Sequence, residues 1–293
     1  MITQNINCPI TVFDIEDFLP DKAAFIEKTR HYFFDLPWDQ YDMRRKQLDF
    51  LKANSQKESW EKLPPHILKK YFIGEVDLSA FTTLIQQLST ENQIRFHAIK
   101  PFRRRSAMRL LLTYHPCVSN WSIERVPVKD FSQEKALIED EKNIDYRHCP
   151  RQFTETKDEM MDDVFDKVVR GIANLVKSSN PNSNQLDITV HHTYVEATAQ
   201  AAGDNSPEGI HQDGYDYIVS ALVIERKNIT GGVSQIFAED KKTKLFSTKL
   251  RPGQGILQPD QGTFLWHNVT PFSTVPQVEV GYRSSIGFDI GVI

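Results

Sequence analysis

The stretch His211-Gln-Asp-Gly-Tyr-Asp-Tyr-Ile-Val219 decides how this chain is read. On extended backbone, residues two apart point to the same face, so His211 and Asp213 can grip one divalent ion while Gln212 turns away. Two later segments complete the pattern. His267 lies in Thr263-Phe-Leu-Trp-His-Asn-Val269, an aromatic and β-branched run that reads as a strand after the turn signal Pro259-Asp-Gln-Gly262. Arg283 lies in the strand-like Tyr282-Arg-Ser-Ser-Ile-Gly-Phe-Asp-Ile290, and a guanidinium holds a carboxylate through two parallel hydrogen bonds. Their separation suits neighbouring antiparallel strands joined by a loop from Pro271 to Gly281. A lone His-x-Asp carries little information. The conjunction with Gly214, the Thr230-Gly-Gly232 turn, His267 and Arg283 points to a facial metal site. Two imidazoles and one carboxylate leave the opposite coordination positions open, as non-haem Fe(II) oxygenases require for a chelating acid and O₂.

Working outward, strand signals dominate from Leu186 onward: Leu186 to Ala197, Tyr215 to Ile224, Val233 to Phe237, Lys244 to Leu250 and Gly255 to Gln258. Repeated short strands with Gly and Pro turns predict a sandwich or jelly roll. A helix is expected where Met160, Met161, Val164, Phe165, Val168, Val169, Ile172, Leu175 and Val176 recur with helical period, ended by Ser178-Ser-Asn-Pro181 and bracing the outer face of a sheet. The first hundred residues read as helices: Asp21 to Phe34, Asp39 to about Ala53, one starting at Leu63-Pro-Pro-His66, and an amphipathic stripe through Leu78, Phe81, Leu84, Ile85 and Leu88. We therefore expect residues 1–98 to form a helical extension packed on a core of residues 99–293.

Hydrophobic residues make up 40% of the 293, enough for one large core or two unequal ones. A net charge of -4 offers no overall attraction to nucleic acid or to an anionic membrane surface. The amino-terminal residues lack the basic start and apolar core of a signal peptide, and no apolar stretch is long enough to span a membrane. Cys8, Cys117 and Cys149 are odd in number, far apart and without zinc-site spacing, which suits a reducing, cytoplasmic compartment. The glycosylation-like triplets at Asn120, Asn228 and Asn268 are then chance matches.

Taken in order, His211-Gln-Asp-Gly-Tyr-Asp-Tyr-Ile-Val219, Gly231-Gly-Val-Ser-Gln-Ile236, His267-Asn-Val-Thr-Pro271 and Gly281-Tyr-Arg283 resemble the family of bacterial Fe(II)/2-oxoglutarate dioxygenases that includes L-isoleucine 4-hydroxylase. The resemblance covers roughly residues 100 to 293. It implies a mainly β fold with α, the double-stranded β-helix of the jelly-roll and cupin type, with supporting helices. It also implies Fe(II) held by His211, Asp213 and His267, the distal carboxylate of 2-oxoglutarate on Arg283, O₂ as oxidant, and succinate and CO₂ as co-products. Relatives often carry an acidic residue after the arginine; here it is Ser284, and Ser285 follows the Arg-x-Ser pattern of other 2-oxoglutarate enzymes.

Substrate contacts are less sharply indicated. In Phe102-Arg-Arg-Arg-Ser-Ala-Met-Arg-Leu110, an extended backbone puts Arg103, Arg105 and Arg109 on one face, either as a solvated edge or as a carboxylate clamp. The run resembles an arginine-bearing strand of the isoleucine hydroxylase, which raises Arg105 and Arg109 as substrate residues, and Arg151-Gln-Phe153 resembles a segment that closes the pocket. Of the adjacent His191 and His192, at most one enters the barrel; His192 or Tyr194 is the expected pocket residue, with Gln235 weaker. His31, His66, His97, His115 and His148 show no ligand-like spacing. The function expected is oxidation, most simply hydroxylation, of an aliphatic carbon of a small-molecule substrate, a free L-amino acid or close derivative. The rivals are a peptide or protein side-chain hydroxylase, a non-catalytic metal-binding jelly roll, and a cupin-type enzyme with another metal.

Overall fold

The computed structural model describes residues 10–130 and 149–293; Cys8 and His148 lie outside them. The chain divides into two compact units. One comprises the described parts of Met1–Pro37, Arg104–Val128 and Thr154–Ile293, the other those of Trp38–Arg103 and Lys129–Phe153. This division differs from a single boundary at residue 98. The first strand and helix belong with the sheets, because Phe13, Ile15, Leu19, Phe25 and Phe33 are buried in the sheet-side core.

The larger unit contains β1 (Thr11–Asp14), α1 (Lys22–Tyr32), β2 (Arg103–His115, from its second residue), β3 (Asn120–Val126) and, after the smaller unit's second segment, a long helix. Then come β4 (Gln185–Thr198), β5 (Tyr217–Lys227), β6 (Ile229–Gly231), β7 (Ser234–Phe237), β8 (Lys244–Thr248), β9 (Gln254–Pro259), β10 (Trp266–Val269), β11 (Phe272–Thr274) and β12 (Val280–Val292). Seven strands form one antiparallel sheet in the order β1-β9-β5-β12-β4-β2-β3, beside a three-stranded sheet β10-β7-β8 and the pair β11-β6. The expected adjacency of the His267 and Arg283 strands is not found. β10 pairs with β7, whereas β12 lies between β4 and β5 in the large sheet, and β11 intervenes in the loop that was expected to join them.

The long helix runs over Asp163–Ser179, and its Asp162 cap accepts from the amides of Val164 and Phe165 at 3.1 and 2.8 Å. Such a cap contributes about 1 kcal/mol. Its Phe165, Val168, Val169, Ile172, Ala173 and Val176 pack with Ile286, Phe288 and Ile290 of β12, covering one face of the large sheet. The opposite face meets the small sheet through Ala221, Val223, Ile256 and Ile236. Alternation along β12 thus assigns each of its side chains to a helix-packed or an inter-sheet surface.

In the smaller unit helices form where expected, over Gln40–Asn54, Pro65–Ile73 and Thr82–Gln87, and also over Lys57–Glu61 and Thr90–His97, which the sequence did not indicate. They bury their own core of Leu48, Leu51, Trp60, Leu68, Tyr71, Phe72, Phe81, Leu84, Leu88, Phe96 and Cys149. Among the described residues no helix is long and apolar enough to cross a membrane.

Candidate functional site

His211 and His267 face each other across an isolated antiparallel bridge, each amide donating to the other's carbonyl at 3.0 Å. This closely spaced pairing sets the imidazoles side by side, their centroids 4.3 Å apart. Asp213 completes the group: its two carboxylate oxygens lie 3.4 Å from His211 Nε2 and 3.4 Å from His267 Nε2. One donor atom from each residue lies within 4.8 Å of the other two, a set that can hold one divalent ion. His211 reaches this place from a single bridge and not from a full strand end.

The surroundings aim these donors. Gly209 O lies 2.8 Å from His211 Nδ1, and since a carbonyl only accepts, that nitrogen carries the hydrogen and leaves Nε2 to face Asp213. Gln212 turns away as expected, and its amide donates to the carbonyls of Asp260, Thr263 and Leu265 at 2.9, 3.1 and 2.8 Å. The Asp213 and Gly214 amides donate to Asp260 Oδ2 at 2.8 and 2.7 Å. Burial opposes charge on His211, yet the Glu208 and Asp213 carboxylates overcome it and push the imidazole up to about 10. Asp213 is held well below the usual carboxylate range against its burial, chiefly by His267 and His211. The centre thus favours cationic charge beside its carboxylate, whether from protons or from a metal.

Arg283 and Ser285 occupy the inter-sheet face of β12, opposite Val195 and Thr193 of β4. Arg283 is 1% exposed, and burial together with the nearby Arg226 lowers its guanidinium to about 9. Nη1 donates to Ser285 Oγ at 3.3 Å, while Nε and Nη2 have no hydrogen-bond partner among the described residues. A buried cation with donors to spare fits an anionic ligand. Ser284 faces the other way, opposite Tyr194.

The same inter-sheet face carries His191 and Asp289, with His191 Nε2 and Asp289 Oδ2 3.0 Å apart. Burial and the Asp213 charge hold Asp289 well above the carboxylate range, against the pull of Arg105, His267 and His211. His192, expected at the pocket, does not share this face; His191 does. His192 belongs to the helix-packed face, between Phe33 and Phe165, with Thr156 Oγ1 3.2 Å from its Nδ1. Tyr194 follows it there, stacked near Phe34 and Tyr282. Arg109 is also corrected as a substrate clamp, because its Nε and Nη2 both donate to the Asp187 carboxylate at 2.7 Å. Arg103 belongs to the helical unit and pairs with Asp39 and Asp42. Arg105 shares the site's face by its alternation with Arg109 and by its influence on Asp289. Arg151 lies in the helical unit, 6.0 Å from the Phe153 ring. Gln235 pairs with Asn268, one residue out of phase with the Ile236 and His267 pair, so it points away from the side that His267 faces. Asp260 went unrecognised, since Pro259-Asp-Gln-Gly262 reads only as a turn.

The chain matches a family profile described as 2OG-Fe dioxygenase over residues 78–289. It belongs to that family. As a 2OG-Fe dioxygenase it is an oxidoreductase that uses Fe(II), 2-oxoglutarate and O₂, consistent with the His-Asp-His group. Its fold is similar to the crystal structure of IDO from Bacillus thuringiensis, with a TM-score of 0.60 at 14% identity, covering 97% of this chain and 90% of that one. It is also similar to a bsmA homologue from Methylobium petroleophilum PM1, with a TM-score of 0.54 at 17% identity, covering 85% of this chain and 92% of that one. At these identities the likeness concerns the fold alone. Comparison with curated proteins found no match.

Proposed function

We propose that this dioxygenase hydroxylates an aliphatic carbon of a free L-amino acid or close derivative in a double-stranded β-helix formed by its two principal sheets. His211 Nε2, Asp213 and His267 Nε2 are its metal ligands, and Arg283, steadied by Ser285, receives the distal carboxylate of 2-oxoglutarate. The observation that carries the reading is the convergence of three metal donors within 4.8 Å, on a chain whose buried Arg283 keeps Nε and Nη2 unpartnered. When bound, Fe(II) activates O₂ for oxidative decarboxylation of 2-oxoglutarate to succinate and CO₂. The protein's part is to orient the acid and the substrate and to exclude water.

Arg105 and Asp289, a guanidinium and a carboxyl group on one sheet face, match the carboxylate and amine of an amino acid. The resemblance to the family that includes L-isoleucine 4-hydroxylase supports the same substrate class, and Arg151 is carried by that resemblance alone. The test is succinate release with Fe(II), 2-oxoglutarate and ascorbate across the common L-amino acids and their methyl esters. At least one free acid is expected to stimulate release, its ester much less, and His211→Ala, Asp213→Ala and His267→Ala are expected to abolish it. Stimulation by peptides but by no free amino acid would overturn the substrate class. Full turnover in any one ligand variant would overturn the triad.

A further inference from the structure

Asp260 is fully buried at the Pro259-Asp-Gln-Gly262 turn, outside the metal-ligand set. Its Oδ2 already accepts the backbone amides of Asp213 and Gly214, fixing the loop that carries the ligand carboxylate. Its Oδ1 has no hydrogen-bond partner among the described residues and lies 3.9 Å from His267 Nδ1, which has none either. Two buried polar atoms without partners, 3.9 Å apart, are costly unless they meet. For His211 the outer nitrogen is served by the Gly209 carbonyl. For His267 the same outer nitrogen has this carboxylate oxygen 3.9 Å away.

We propose that Asp260 is a positioning residue for the metal centre: it keeps the hydrogen of His267 on Nδ1, so that the Nε2 lone pair points at the metal, and it ties that imidazole to the Asp213 loop. This inference rests on the reading of His211, Asp213 and His267 as ligands. One carboxylate then sets the direction of two of the three donors, through a ring on one side and two amides on the other. Outer carboxylates of this kind raise the basicity of a ligating imidazole and commonly change metal affinity by about 10- to 100-fold.

Asp260→Asn is the informative variant. An asparagine oxygen still accepts the two loop amides, while its NH₂ faces His267 Nδ1 and requires that nitrogen to accept, moving the ring hydrogen to the metal-facing Nε2. Co(II) binding, followed by its ligand-field absorption and by calorimetry, is expected to weaken about 10- to 100-fold with the far-ultraviolet circular dichroism unchanged. Wild-type affinity in Asp260→Asn, alongside lost binding in His267→Ala, would overturn the role of Asp260 and leave the triad standing. Wild-type affinity in both would remove the triad reading itself. A measurement on the native chain decides the matter even if the variant does not fold. In the Zn(II)-loaded protein, nitrogen-15 correlation spectra are expected to show the His267 Nδ1 proton shifted downfield of the carbonyl-bonded His211 Nδ1 proton, as bonding to a carboxylate requires; a His267 Nδ1 proton without that shift refutes the proposal.

Discussion

At Arg283 the fold keeps a guanidinium that is 1% exposed, with two nitrogens unpartnered. That arrangement is costly in isolation and favourable once a carboxylate arrives. Arg283→Met is therefore expected to leave the ligand-free protein at least as heat-stable as the native one while removing the rise in melting temperature that 2-oxoglutarate produces. Loss of a buried charge-assisted pair costs about 2–5 kcal/mol, so the apparent affinity for 2-oxoglutarate should fall by well over tenfold. An unchanged 2-oxoglutarate requirement would place the anchor elsewhere. His192 makes the complementary case on the helix-packed face, where burial, with smaller contributions from His191 and Arg125, pushes the imidazole down to about 3. The unfolded chain takes up this proton near pH 6.5 and the folded chain only near 3. Stability is therefore intact above 6.5 and declines as pH falls through that window. His192→Asn is expected to flatten the decline, measured as urea midpoint against pH; an unaltered slope would show that His192 does not contribute to it.

Among the elements, the β6 to β7 connection illustrates why some glycines are irreplaceable and others are not. Gly231 has φ +88°, and a Cβ there would lie 2.5 Å from Pro271 O, so both the conformation and the space forbid a side chain. Gly214, beside Asp213, has φ +92° but nothing within 4 Å of a Cβ built there. Left-handed backbone alone costs about 1–2 kcal/mol for an L-residue. Gly214→Ala is expected to lose about that much in urea denaturation and Gly231→Ala clearly more, because backbone must also move; equal losses would refute the steric argument. Strand and helix positions were legible where periodicity is strong, as in Leu186 to Ala197 and in the Met160 to Val176 stripe. Which face each strand turns inward was not. His191 and His192 differ by one position, and only the pairing of His191 with Gly287 in β12 settles their directions. Likewise Arg109 reads as a clamp until Asp187, 78 residues away, is found to occupy it. The metal motif was legible because its chemistry is local and its residue types are rare together; the partner strand of His267 and the brace at Asp260 depend on tertiary pairing.

For the molecule as a whole, a helical unit with an apolar core of its own predicts two separable responses to a ligand. Trp38 and Trp60 lie in the helical unit, whereas Trp121 and Trp266 lie in the sheet unit that carries the metal group. Binding stabilises the folded state of the unit that binds. Mn(II) with 2-oxoglutarate is expected to raise the urea midpoint reported by Trp121 and Trp266 in a Trp38→Phe, Trp60→Phe chain. It should move the midpoint much less in the converse double variant; identical shifts would show one cooperative transition.

β12 is hydrogen-bonded to β4 along Val280 to Val292 and to β5 on its other edge, and it carries Arg283. The metal loop around His211, by contrast, is tied to its partner strand by one bridge. Amide exchange with deuterated solvent should accordingly be slowest around Arg283 and faster in the His211 loop, where the Asp213 and Gly214 amides rest on a side chain and not on a strand. One half of the site is thus woven into a sheet and the other is pinned by side chains. Arg283 is therefore as durable as the sheet that carries it, whereas the His211 loop is only as durable as the Gln212 and Asp260 side chains that pin it.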